Sequence, residues 1–279
     1  MPAPDRYAVI GHPIAHSRSP QIHGLFALQT RQHMRYDAFD VAPEQLSSQV
    51  HEFFASGGGG LNVTVPHKQA VAALCDHLAP RARTAGAVNT LWRDAEQRLV
   101  GDNTDGIGLV RDLTQNLGVS VAGRRVLLLG AGGAARGVLA PLLALQPQEL
   151  LIANRSAARA LALAGEFAAS GPVRGVGFDE LEGLRVELII NATAAGLQRQ
   201  LPPLPASALA SGPICYDLAY GARETAFASW TRAHGARQSH TGLGMLVEQA
   251  AESFFLWRGV RPETNSVLAA IADEPQRTP

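Results

Sequence analysis

The sequence predicts an α/β protein of two units, one of them a doubly wound parallel sheet of the dinucleotide-binding kind. Three observations carry this. Val126-Leu127-Leu128-Leu129 is an unbroken apolar run, as in a buried parallel strand. It leads into Gly130-Ala131-Gly132-Gly133-Ala134-Ala135 and an Ala/Leu-rich helical stretch ending at Leu145. Further apolar runs at 150–153, 186–190 and 214–218 alternate with helical patterns at 157–169 and 222–234, so residues 106–240 read as a doubly wound unit. The first hundred residues repeat strand and helix on their own account, as a second α/β unit with a mostly parallel sheet.

In order, Tyr7–Gly11 reads as a strand, residues 12–19 as a loop, and Pro20 suits the first position of a helix running to Thr30. A strand at 34–41 and a helix at 43–56 follow, the helix striped by Leu46, Val50, Phe53 and Phe54 and ended by Gly57–Gly60. Leu61–Val65 reads as a strand, 67–78 as a helix, and 87–93 with 98–101 as a strand pair. A helix at 106–117 leads to the glycine-rich unit. Beyond it, 191–196 is a loop and 201–213 an irregular, proline-rich segment. Helices at 245–258 and 265–272 close the chain, and periodicity does not assign them to either unit.

The glycine turn has the form G-x-G-x-x-A. Gly130 permits a tight turn, Gly132 lets a pyrophosphate approach the backbone, and a small residue at Ala135 allows close helix–strand packing. The helix start then offers unpaired N–H groups to phosphates. The competing reading is a glycine turn in some other α/β protein; the strand before and helix after favour the dinucleotide.

Of the 279 residues, 46% are hydrophobic and 17% charged, and mean hydropathy is +0.02. Lys+Arg and Asp+Glu number 24 each, which argues against a nucleic-acid or anionic-membrane partner. No apolar run is long enough to span a bilayer, and the first residues show no secretory pattern, so a cytoplasmic protein is expected. Cys75 and Cys215 lack metal-ligand spacing, and no metal is expected. Cys75, patterned with Val71, Leu74 and Leu78, reads as a buried free thiol.

Several polar residues stand where chemistry could use them. Ser17 and Ser19 could donate two hydroxyl hydrogen bonds to an anion, or Ser19 could cap the helix at Pro20. Asn62 and Thr64 share one face of a strand whose other face is Leu61, Val63 and Val65. They fit a polyhydroxylated ligand, or a half-exposed edge strand. Lys68 falls in the first turn of the 67–78 helix, where the helix dipole opposes its charge; it is a base or a lysine reaching solvent. Asp105 is an N-cap or a functional carboxylate, and Asn89, at a strand, is equally open.

At the end of the second strand of a dinucleotide unit an acidic residue normally holds the adenosine ribose. Here the sequence is Asn154-Arg155-Ser156-Ala157-Ala158-Arg159, with two arginines and no acid, which favours NADP over NAD.

Together the motifs resemble the shikimate dehydrogenase family over nearly the whole chain. The carriers are Pro13-Ile14-Ala15-His16-Ser17-Arg18-Ser19-Pro20, Asn62-Val63-Thr64-Val65-Pro66-His67-Lys68 and Ala85-Gly86-Ala87-Val88-Asn89-Thr90. With them stand Gly101-Asp102-Asn103-Thr104-Asp105-Gly106, the glycine turn, Asn154-Arg155, Asn191-Ala192-Thr193 and Gly242-Leu243-Gly244-Met245-Leu246. The resemblance implies reversible NADP-dependent reduction of 3-dehydroshikimate to shikimate, in aromatic amino-acid (chorismate) biosynthesis. It implies Lys68 and Asp105 as the catalytic pair and Ser17 and Ser19 on the substrate carboxylate. Asn62, Thr64, Asn89, Asp105 and Gln249 would hold ring hydroxyls, and Tyr220 would line the pocket. Gly130, Ala131, Gly132, Gly133, Ala134, Asn154, Arg155, Arg159, Thr193, Leu218, Gly242 and Met245 would contact the cofactor. It further implies that residues 1–105 and 241–279 form a substrate-binding domain, completed by the C-terminal helices, into which an NADP-binding Rossmann-type domain, 106–240, is inserted.

A monomer or homodimer is expected. Alternatives are a paralogue that also uses quinate or NAD, and a non-catalytic nucleotide-binding regulator. Gln249 neighbours Glu248 on a helix whose Glu248 and Glu252 mark a polar face, so it is a ligand or a face-boundary residue. Three departures from the family pattern stand out: His67 as a further titrating group near Lys68, Thr241 as a cap before Gly242, and Gly57–Gly60 as a mobile loop.

Overall fold

The structure, a computed structural model, describes residues 3–193, 200–221 and 224–273. The described residues divide into two units, one running to Gly108 and resuming at Leu246, the other spanning Leu109–Met245. The end of the 191–196 loop and the start expected for the helix at 222 lie outside the described residues.

The first unit has strands β1 (Asp5–Gly11), β2 (Met34–Asp40), β3 (Gly58–Val63), β4 (His77–Leu78), β5 (Thr90–Arg93) and β6 (Leu99–Asp102), ordered β2-β1-β3-β5-β6-β4. β1 is parallel to β2 and β3, whereas β5 runs antiparallel to β3 and β6. β3 is therefore a central strand, which removes the edge-strand reading of Asn62. Helices α1 (Ser19–Thr30), α2 (Leu46–Ala55) and α3 (Pro80–Ala85) follow their strands, and α4 (Asp105–Arg111) leaves the unit. Ala8, Ile10, Leu61 and Val63 pack on Val50, Phe53 and Phe54 of α2.

Two expectations for this unit are corrected. Gly58–Gly60 are not a loop but the first half of β3. A Cβ on Gly58 would enter the Phe53 ring, on Gly59 the Tyr7 ring, and on Gly60 the Trp257 indole. The glycines are there because aromatic side chains lie directly on the strand. Residues 67–78 are not one helix but a turn, a 3-10 helix at Ala70–Leu74 and then β4. The Asp76 carboxylate accepts from the Leu99 N–H at 2.7 Å and β4 pairs with β6, so the sheet draws the segment out of helix. Cys75 is a free thiol but only partly buried; burial, then the Asp76 charge, pushes its pKa up to about 12.

The second unit holds β7 (Arg125–Leu129), α5 (Gly133–Ala144), β8 (Glu149–Asn154), α6 (Ala157–Phe167), β9 (Val173–Gly177), β10 (Leu188–Asn191), β11 (Ile214–Asp217), α7 (Ala226–Ala233) and β12 (Gln238–Thr241). The order is β12-β11-β10-β7-β8-β9, parallel throughout. The chain winds outward one way from β7 and the other way from β10, so the switch point lies at their carboxyl ends. Residues from β7, β8 and β10 feed an apolar cluster on each face of the sheet. The expected helix at 106–117 is α4 followed by a π turn, Asp112–Asn116. There the buried Asp112 accepts from the Tyr216 hydroxyl at 2.5 Å and from Asn116 at 2.9 Å. Thr241 ends β12.

From Leu246, helix α8 (Leu243–Arg258) belongs to the first unit, as does α9 (Asn265–Asp273). Glu248 and Glu252 do not mark a solvated face: both are buried. Glu248 accepts from Thr264 at 2.7 Å. Arg81 of α3 donates to both Asp102 oxygens and, at 3.0 Å, to Glu252, which also accepts from Arg261 at 2.6 Å. Burial opposes the Glu252 charge, but bonds from Arg261 and Arg81 together hold its pKa below the ordinary carboxylate range. That contribution is fully present above the unfolded pKa and is lost as pH falls through the lower folded value. Arg81→Met, which leaves two buried carboxylates short of their cation, is expected to lower stability by about 3 kcal/mol in urea unfolding near neutral pH. The deficit should shrink in acid, and an unchanged urea midpoint at pH 7 would refute it.

Candidate active site

Lys68 lies in the turn after β3, before the 3-10 helix, and not in the first turn of a helix. Its surroundings are set instead by a carboxylate. Lys68 Nζ donates to Asp105 Oδ2 at 2.5 Å, and the two side chains are 16% and 5% exposed. The Lys68 carbonyl accepts from the Val88 N–H at 2.7 Å, which ties the turn to the segment carrying Asn89. Asp105 is the first residue of α4, and the capping role falls to Asn103, whose Oδ1 accepts the Asp105 N–H at 3.1 Å. Its own carboxylate is therefore available to Lys68 and, at 2.9 Å, to Asn89 Nδ2.

The Asn89 carboxamide can face only one way. Oδ1 accepts from the Thr104 N–H at 2.8 Å, a group that only donates, while Nδ2 faces the Asp105 carboxylate. Asn89 Nδ2 also reaches Gln249 Oε1 at 3.2 Å, and the Thr104 hydroxyl reaches the same oxygen at 3.3 Å. Gln249 Nε2 donates to the Leu246 carbonyl at 2.9 Å. Gln249 thus joins the cluster of Lys68, Asp105, Asn89 and Thr104 in the first unit.

Asn62 is buried in the same unit. Its Oδ1 accepts from Tyr36 at 2.7 Å, and Nδ2 faces the Asn89 carbonyl, Thr90 Oγ1 and Ser253 Oγ. The polar partners that a central strand demands come first from the protein itself. Tyr36 is stacked at 4.1 Å on His23, whose pKa burial pushes down to about 3, so the ring is neutral. Thr64 lies one residue beyond β3, half-buried, its N–H donating to the Ile10 carbonyl at 2.9 Å. His67 is buried and donates to the Val41 carbonyl at 2.7 Å. Ser19 opens α1 without a side-chain cap bond, and Ser17 Oγ accepts the Ser19 N–H at 3.3 Å. The capping reading of Ser19 is thereby removed, and the Ser19 hydroxyl is left for other use. Tyr36, Thr90, Thr104 and Ser253 were not singled out by sequence as site residues. Ser253, one helical turn after Gln249, carried a usable signal.

The second unit carries the glycine turn. Gly130 has φ +106, and a Cβ there would sit 3.0 Å from the Ala192 carbonyl oxygen, so glycine is needed at the junction of the β7 and β10 loops. A Cβ on Gly132 would meet nothing within 4 Å among the described residues, so the space they leave beside this backbone is open. Ala131, Gly133 and Ala134 continue into α5, whose N-terminus has no side-chain cap, and Ala135 is packed in the core. Asn154 ends β8 and donates to the Ser156 carbonyl at 3.1 Å. Arg155 and Arg159 are exposed, and neither pairs with a carboxylate among the described residues. An uncovered glycine backbone, an uncapped helix start and two unpaired guanidinia fit a phosphorylated dinucleotide.

Around the same switch point, Asn191 Oδ1 accepts from the Thr193 N–H and hydroxyl, and Asn191 Nδ2 donates to Asp217 at 3.0 Å. This ties the Thr193 loop to the loop carrying Leu218 and Tyr220. Gly242 lies against the Leu218 and Asp217 carbonyls, where a Cβ would collide. The Met245 N–H donates to the Tyr216 hydroxyl at 3.3 Å. Gly132→Val is expected to raise the Michaelis constant for the dinucleotide at least about tenfold with the fold retained, since the space it fills is open. An unchanged constant would remove Gly132 from the phosphate cradle.

Comparison with known proteins points the same way for all three segments. Residues 9–91 match the family described as shikimate dehydrogenase substrate binding domain, 112–199 that of shikimate / quinate 5-dehydrogenase, and 242–272 the shikimate 5'-dehydrogenase C-terminal domain. The shikimate dehydrogenase (NADP(+)) of Methylococcus capsulatus is 56% identical over 98% of each chain. Among solved structures, an Ael1 enzyme from Pseudomonas putida is 47% identical, with a TM-score of 0.89 over 98% of this chain and 100% of that one. Shikimate 5-dehydrogenase from Thermus thermophilus, in complex with NADP(H) and shikimate, is 36% identical, with a TM-score of 0.85 over 95% and 98%.

Proposed function

The chain belongs to the shikimate dehydrogenase family, and from that premise we propose that it catalyses the NADP-dependent, reversible reduction of 3-dehydroshikimate to shikimate. The observation that carries the reading is the Lys68–Asp105 pair, shielded from solvent and joined to Asn89 and Gln249. When bound, NADP supplies the two-electron exchange with the ring carbon. The chain supplies the rest. Lys68 moves a proton at the reacting oxygen, and the Asp105 carboxylate orients the ammonium. Asn62, Thr64, Asn89 and Gln249 hold ring hydroxyls, the Ser17 and Ser19 hydroxyls hold the carboxylate, and Tyr220 contacts the substrate.

The cofactor roles fall to Gly130–Ala134, Asn154, Arg155, Arg159, Thr193, Leu218, Gly242 and Met245. In this reading the unit that runs to Gly108 and resumes at Leu246 serves the substrate, and the unit Leu109–Met245 the cofactor. The enzyme acts in the cytoplasm as a monomer or homodimer, in aromatic amino-acid biosynthesis. Among the described residues, no helix is long and apolar enough to cross a membrane.

The test is initial-rate assay of reduced cofactor formation, crossing shikimate or quinate with NADP or NAD. Shikimate with NADP should be the preferred pair; a preference for quinate with NAD would overturn the reading. Changing both Arg155 and Arg159 to alanine should raise the Michaelis constant for NADP about thirtyfold, the loss of charge-assisted bonds to one phosphate, and leave that for NAD nearly unchanged. Equal effects on both cofactors would count against a phosphate contact.

A further inference from the structure

We propose that Thr90 is a positioning residue that holds the Asn62 and Asn89 carboxamides in working orientation, and so sets affinity for the substrate rather than for the cofactor. The inference rests on the substrate roles given to those two residues above. Thr90 opens β5 and is fully buried, as is Ser253 on α8. Its Oγ1 lies 2.9 Å from Asn89 Oδ1, 3.2 Å from Asn62 Nδ2 and 2.8 Å from Ser253 Oγ.

Proton bookkeeping gives these contacts a direction. An amide nitrogen only donates, so Thr90 accepts from Asn62. An amide oxygen only accepts, so a Thr90 proton directed at Asn89 Oδ1 is donated. Ser253 has one proton; donated to Thr90 at 2.8 Å, it leaves the Thr90 proton for Asn89, and Ser253 Oγ can also accept from Asn62 Nδ2 at 3.0 Å. Among the described residues, Thr90 is the hydroxyl that accepts from one candidate amide while donating to the other.

The consequence concerns amide orientation. With Thr90 and the Thr104 N–H both aimed at Asn89 Oδ1, a flip would set two donors against Nδ2 and an oxygen against the Asp105 carboxylate. Asn62 is held likewise, its oxygen toward the Tyr36 hydroxyl and its nitrogen toward Thr90 and Ser253. Removing the Thr90 hydroxyl weakens one side of both constraints. It also leaves a buried Asn62 N–H with fewer acceptors, a condition that drives side chains to reorient. Valine keeps the branched shape and removes the hydroxyl; serine keeps the hydroxyl and removes a methyl.

The experiment compares wild type, Thr90→Val and Thr90→Ser in steady-state kinetics with shikimate and NADP varied separately. Thr90→Val should raise KM for shikimate about tenfold, with kcat within about threefold and KM for NADP within about twofold of wild type. Thr90→Ser should restore KM for shikimate to within about twofold of wild type. Should Thr90→Val fail to fold, Ser253→Ala replaces it, with the same split at about threefold. A valine variant kinetically equal to wild type, a loss shared equally by shikimate and NADP, or a serine variant as impaired as valine would overturn the proposal. So would an unchanged KM for shikimate in Ser253→Ala, where that variant is the one tested. A wild-type protein inert toward shikimate with NADP would instead overturn the functional reading, and this inference with it.

Discussion

Lys68→Ala is expected to lower kcat for shikimate oxidation by about a thousandfold or more, the range spanned by loss of a positioned proton-transfer group. Dinucleotide binding should be retained. The two effects separate because the lysine and the glycine turn belong to different units. The Lys68 ammonium makes one short bond to Asp105, and its side chain is only 16% exposed. No other lysine exists to replace it: Lys68 is the only lysine in the sequence, every other basic residue of that total of 24 being arginine. An arginine brought near would not substitute, because a guanidinium does not release its proton in this pH range. Lys68→Arg should therefore be nearly as impaired as alanine, despite keeping the charge. Stopped-flow and steady-state rates, with cofactor binding followed by fluorescence, check this. Turnover within about tenfold of wild type in the alanine variant would remove Lys68 from proton transfer.

The residues that chemistry needs were more legible than the contacts that place them. Gly130 and Gly132 could be read locally because a turn between a strand and a helix is a short-range event. The positive φ of Gly130 belongs to that turn, whereas the Ala192 carbonyl that crowds it comes from the loop after β10. Asn62 was legible as a polar side chain on a buried strand, hence one needing partners. Those partners are Tyr36, the Asn89 carbonyl, Thr90 and Ser253, the last 191 residues away, and no local pattern encodes such a contact.

The failures have the same cause. Val71, Leu74 and Leu78 are spaced for a helix, yet pairing of β4 with β6 and the Asp76–Leu99 bond outweigh that local preference. Gly58–Gly60 look like a flexible linker until the Phe53, Tyr7 and Trp257 rings are placed over them. Strands β9 and β12 were missed for a related reason. Gly175 in β9 lies against the α6 backbone, where a Cβ would clash, and β12 is Gln-Ser-His-Thr, with no apolar alternation to reveal it.

Asp105→Asn tests the other half of the pair and separates charge from shape. Asparagine has nearly the volume of aspartate, so the α4 start and its Asn103 cap are retained. What is lost is the negative charge that accepts from Lys68 on one oxygen and from Asn89 on the other. The oxygen of the introduced carboxamide can still face one of these donors, but its NH2 must then face the other. Either Lys68 or Asn89 is left with a donor against a donor, in a place where the native side chain is 5% exposed. The expected result is a fall in kcat of about a hundredfold and a rise in KM for shikimate, because the Asn89 amide is displaced along with the lysine. KM for NADP should not move. The contrast with Thr90→Val is diagnostic: that variant changes substrate affinity with little effect on kcat, whereas Asp105→Asn changes both. If Asp105→Asn left kcat within about threefold of wild type, the carboxylate would be a structural partner of Lys68 and not part of the chemistry.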